Sequence, residues 1–164
     1  MTMTERRRGL HSRSGFPAWT MVFMLFSIVS AASAQLTLRG TANPNISITT
    51  GIAGGTMNSV VNTTSSIRYN KQSVITKITV KTSCPSQSFG LQVVATGVTK
   101  GVAAPAVSLI DGMLAVDFIT SIPNSGFTNA TPTLQYTASA TFAQGNSAEL
   151  GNDVHTVTYT LQAQ

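Results

Sequence analysis

The chain has 164 residues, with ten Lys and Arg against five Asp and Glu and a formal charge of +5. Four of those cations crowd the first 13 residues and the other six are scattered, which excludes the clustered basic and aromatic footprint of a nucleic-acid binder. Cys84 is the only cysteine, so an internal disulfide is excluded and a single core must hold the fold by burial.

Arg6, Arg7, Arg8 and Arg13 open the chain, and no charged residue follows from Ser14 to Leu38. The densest apolar run is Trp19 to Val29, and Ala32-Ser33-Ala34 comes shortly behind it. A basic head, an apolar centre and a small-x-small motif form a secretory signal peptide over 1–34. A membrane anchor retained over Phe16 to Ala34 is the rival reading, but it lacks a stop-transfer flank. Met21 is an alternative start. Cleavage after Ala34 leaves six basic and four acidic residues, a net +2. Membrane contact is then confined to the signal peptide during export, and the expected location is extracytoplasmic: periplasm, cell surface or secreted.

The mature chain divides into an N-terminal extension or edge strand, 35–55, and a β-sandwich domain, 56–164. The extension alternates Leu36 and Leu38, reaches Gly40, and runs through Asn43-Pro44 into a Gly-rich stretch, Gly51 to Gly55. It either adds an edge strand or pairs elsewhere. Beyond it, Thr, Val, Ile, Ser and Ala dominate, residues that suit pleated strands, while Gly and Asn mark turns. Period-two alternation places strands near 46–49, 65–69, 74–82, 89–96, 106–110, 114–122, 133–143 and 154–162. Val74, Thr76, Ile78 and Val80 share one face. So do Phe89, Leu91, Val93 and Ala95, and likewise Leu134, Tyr136, Ala138, Ala140 and Phe142. The last strand turns Val157, Tyr159 and Leu161 inward. Asp111-Gly112, between Val107–Ile110 and Met113–Val116, predicts a tight type I′ hairpin. Turns about every ten residues predict an all-β fold, a single antiparallel β-sandwich of about seven or eight strands.

Catalytic chemistry finds little support. The mature chain carries one histidine, His155, and four carboxylates, Asp111, Asp117, Glu149 and Asp153, with no nucleophile elbow, phosphate loop or metal-ligand spacing. His155 reads as a half-exposed strand residue and Asp111 as a turn residue. Cys84 reads as a small apolar side chain at a strand end, with an intermolecular disulfide or a reactive thiol as the sharper alternative. No neighbour in Thr82-Ser83-Cys84-Pro85 would lower its pKa. The oxygen-rich stretch Gly145 to Asp153 fits no calcium-loop spacing. No enzyme, cofactor or metal is expected. Asn45, Asn62 and Asn129 head glycosylation sequons, which matter only in a eukaryotic host.

Leu134 to Ser147 followed by Val154 to Leu161 resembles the penultimate strand, turn and last strand of bacterial immunoglobulin-like domains. That resemblance implies an immunoglobulin-like sandwich in which the Tyr136 hydroxyl bonds back to the backbone as a tyrosine corner. The leader, the alternating extension and the terminal strand with Gly151 before it also resemble chaperone–usher-type fimbrial subunits. This resemblance implies assembly by strand addition, with Leu36, Leu38 and Gly40 as the extension and Val157, Tyr159 and Leu161 as the terminal strand. Two departures stand against it: the family's usual intrachain disulfide cannot form, and Tyr159 is not penultimate. Eight strands would also leave no groove to fill. The expected function is an exported, non-enzymatic structural or adhesive surface component, pilin-like in that reading, whose partners are other copies of itself or cell-surface components. The alternative is a secreted carbohydrate- or ligand-binding module using a loop with Phe127 and Asn129.

Overall fold

The computed structural model describes residues 35–49, 57–141, 144 and 151–164. The leader, Gly51 to Gly55, Phe142, the Gly145-Asn146 turn and Glu149 lie outside them. Ten strands follow in chain order: β1 (Leu36–Gly40), β2 (Val60–Asn70), β3 (Thr76–Ser83), β4 (Gly90–Thr96), β5 (Val102–Ala103), β6 (Val107–Ser108), β7 (Val116–Ile122), β8 (Asn129–Ala130), β9 (Thr133–Ser139) and β10 (Thr156–Ala163). Three are two-residue bridges, so the sandwich rests on the seven longer strands.

Two antiparallel sheets form. One runs β1-β2-β9-β4-β6, with β8 also paired to β2, and the other runs β10-β3-β7-β5. The chain stays in one sheet only from β1 to β2 and from β8 to β9, and crosses to the other sheet at every other connection. Each such connection therefore sets an inward-facing apolar row against a row from the opposite sheet. Ile67 and Tyr69 of β2, Val93 of β4 and Leu134 of β9 face Ile78 and Val80 of β3 and Phe118, Ile119 and Ile122 of β7, and all are essentially buried.

The extension is an edge strand: Leu36 to Gly40 pair with Tyr69 to Ser65 of the same chain. Gly40 closes this ladder at φ +78°, where a Cβ would run into the Thr64 carbonyl, so the position requires glycine. In β2 the register slips by one between Asn62 and Ser65. The Asn62 side chain stabilises that bulge, its Oδ1 accepting from the Thr64 N–H at 3.1 Å and the Thr64 hydroxyl at 2.9 Å.

Three local expectations are corrected. No strand forms at 46–49: Ile46 and Ile48 alternate inward but join no ladder. Asp111-Gly112 does not close a hairpin, because β6 pairs with β4 in one sheet whereas β7 pairs with β3 in the other. The Met113 N–H does donate to the Ile110 carbonyl at 3.1 Å, but of the two central residues only Gly112 has positive φ, which is the pattern of a type II turn. The Tyr136 hydroxyl bonds to the Tyr159 hydroxyl at 2.9 Å rather than to backbone, and it is the Tyr69 hydroxyl that donates to a main-chain carbonyl, that of Lys100.

Candidate functional site

Two places gather chemistry. The first is an apolar groove where the two sheets expose their terminal strands on one side of the sandwich. It has a volume of about 270 Å³ and is lined by Leu36 and Leu38 of β1, Ile67 of β2, and Val157, Thr158 and Tyr159 of β10. Four of the residues expected to act in strand addition thus meet in one groove. Leu161 lies further along the same face of β10 and packs on the core, while Gly40 ends the β1 ladder.

The backbone of β10 decides what this groove offers. Gln164 lies opposite Ile75 by continuation of the register, and its N–H donates to the Ile75 carbonyl at 3.1 Å. Along an antiparallel strand the direction of N–H groups alternates, so the even-numbered residues Thr156, Thr158, Thr160 and Gln162 point theirs at β3. The N–H groups of Val157, Tyr159 and Leu161 point away from β3, along the outer edge of the sheet. Their side chains face the core, and the Tyr159 ring lies 5.4 Å from that of Phe118. Burial and the neighbouring Tyr136 hydroxyl raise the pKa of Tyr159, so its hydroxyl stays protonated.

The second place is a polar corner that the sequence hid. Ser83 pairs with Thr156, so Cys84, one residue beyond β3, lies opposite His155, one residue before β10. Asp153, two residues earlier, shares the side of the extended chain that carries His155. One ligand atom from each of Cys84, Asp153 and His155 lies within 4.8 Å of the others. The corner is held by backbone. Asp153 accepts from the Ser88 N–H at 3.0 Å and the Phe89 N–H at 2.7 Å, and Asp111 Oδ1 accepts from the Cys84 N–H at 2.6 Å. Thr82 Oγ1 stands 3.2 Å from His155 Nδ1 and fixes the ring.

Burial pushes the Cys84 thiol up, and the negative charges of Asp153 and Asp111 add to that, while the Val154 N–H opposes it. Burial lowers His155 against the pull of the same two carboxylates. A protonated thiol beside a neutral imidazole is a poor nucleophile. Histidine nevertheless stands beside this cysteine, contrary to what the local sequence offered.

The other expected residues disperse. Asp117 forms a surface ion pair with Lys77 at 2.8 Å. Phe127 is half-buried, edge-on to Tyr69 at 6.3 Å between centroids, with the Lys100 ammonium 5.9 Å from its ring centre. Asn129 lies in β8, opposite Asn70. The ring of Phe127 is thus partly occupied by the fold itself. No family model, curated protein or solved structure matches the chain.

Proposed function

We propose that this chain is an exported, non-enzymatic structural or adhesive component of a cell surface that assembles by strand addition, with β10 as the acceptor edge. The observation that carries the reading is the β1/β10 groove: an eight-residue strand that ends its sheet, aims three N–H groups outward and sits beside an apolar trough. An incoming extended segment gains a main-chain ladder and places every second side chain in the trough.

The occupant is the Leu36–Gly40 segment of a second copy. Within its own chain that segment is an edge strand held by a five-residue ladder to β2, with Leu36 and Leu38 forming one wall of the trough. The eight-residue β10 edge of a neighbour is long enough to pair all five residues of that segment. The resemblance to chaperone–usher subunits, weakened by the missing disulfide, points the same way, and an immunoglobulin-like sandwich suits such a role. The low charge and Thr-rich outer faces of the strands fit an inert building block rather than a catalyst.

Sedimentation of residues 35–164 over a wide concentration range tests this. Concentration-dependent assembly that is lost on deleting Gln35 to Ala42, with the far-ultraviolet β spectrum kept, supports the reading. A monomer at every concentration, or a deletion variant that assembles as well as the parent, defeats it. Saturable glycan binding lost on Phe127→Ala would favour the ligand-binding module instead.

A further inference from the structure

We propose that Cys84, Asp153 and His155 form a binding site for one thiophilic divalent transition-metal ion of the zinc class. The proposal is independent of strand addition.

Three different donors, a sulfur, a nitrogen and a carboxylate oxygen, converge from two paired strand ends to within 4.8 Å of one another. This is the mixed set that zinc and its congeners accept, and three protein ligands leave a fourth tetrahedral position for water or another donor. Metal–ligand bonds of about 2.0–2.3 Å put tetrahedral donors roughly 3.3–3.8 Å apart, so the three groups need to close by only about an ångström.

The surroundings behave as a supporting shell. The Ser88 and Phe89 amides clamp the Asp153 carboxylate and Thr82 holds the His155 ring, as partners behind metal ligands do. Each Asp153 oxygen has more than one acceptor direction, so a metal can bind without losing the amides. Asp111, bonded to the Cys84 amide, adds a nearby negative charge that favours a cation. Cys84 must give up its thiol proton, so binding forms a metal–thiolate bond and releases one proton to solvent.

The test is titration of the metal-free, purified chain with cobalt(II), followed by displacement with zinc(II). The expected result is a sulfur-to-cobalt charge-transfer band that saturates at one ion per chain, together with the intense visible bands of a tetrahedral ion, all removed by zinc. Cys84→Ser should abolish the charge-transfer band, His155→Gln should weaken binding at least tenfold, and Asp117→Asn should change nothing. Thr82→Ala should weaken binding about tenfold, the effect of releasing a ligand's supporting contact. Because Cys84 is buried and its replacement also perturbs packing, thermal melting of the parent chain gives a second readout: zinc should raise Tm and a chelator should reverse the rise. A folded parent chain with no charge-transfer band and no zinc-dependent Tm, or a band that survives His155→Gln at unchanged affinity, overturns the proposal.

Discussion

Asp153→Ala probes the corner that joins the two sheets. The substitution removes the acceptor for the Ser88 and Phe89 amides, two main-chain donors in the connection from β3 to β4. A hydrogen bond to a charged acceptor contributes about 1.5–3 kcal/mol. Asp153 is half-exposed, so water recovers part of that, and the two amides together are expected to cost about 2–3 kcal/mol. In a domain of this size each kcal/mol lowers Tm by about 3–5 °C, which gives a drop near 10 °C. Asp153→Asn keeps one carbonyl acceptor but turns an NH₂ toward an N–H donor, so it should fall between the parent and the alanine variant. The assay is calorimetry with chelator present, which separates this architectural role from metal binding. A drop of less than about 2 °C for Asp153→Ala would refute the reasoning, since the amides would then be as well satisfied by solvent as by the carboxylate.

The same corner sets a pH dependence. His155 has a folded pKa below its ordinary 6.5, so the unfolded chain binds more protons and stability falls as pH drops below about 6.5. Cys84 has a folded pKa above its ordinary 9.0, so the unfolded chain loses its proton first and stability falls as pH rises past about 9. Denaturant midpoints should therefore plateau between these limits. His155→Gln should soften the acid limb and Cys84→Ser the alkaline limb, and unchanged limbs in both would contradict the assignment. In the core, Phe118→Ala empties a fully buried position that also contacts Tyr159, and urea melts should show a loss of about 3–5 kcal/mol.

Strand identity was legible wherever one face alone is buried. The rows Val93 and Ala95, Leu134 and Tyr136, and Val157, Tyr159 and Leu161 alternate in sequence and in space, because each lies in a regular ladder. The pattern fails in β7, where Phe118 and Ile119 are adjacent and both buried. Its register against β3 jumps from Asp117 to Ile119 in one step and from Ile119 to Ile122 in two, so two extra residues shift which side chains face inward. Period-two reading cannot anticipate a bulge, and the positive φ of Ser121 within the second shift has no glycine to announce it.

Asp111-Gly112 has the residues of a tight hairpin turn, and a turn does form there. Whether a turn joins neighbours or crosses between sheets depends on pairing, which local sequence does not encode. The groove was half legible: both apolar rows were visible, but not that β1 and β10 would end separate sheets on the same side. The Cys84 and His155 corner was illegible, since 71 positions separate the two residues and only the β3–β10 register brings them together.

Residue-resolved hydrogen exchange along β10, compared between dilute and concentrated samples, bears most directly on strand addition. The amides of Thr158 and Thr160, bonded to β3, should be protected in both samples, while those of Val157, Tyr159 and Leu161 should gain protection only on assembly. Assembly that leaves these three amides exchanging as in the monomer would show that copies associate through some other surface.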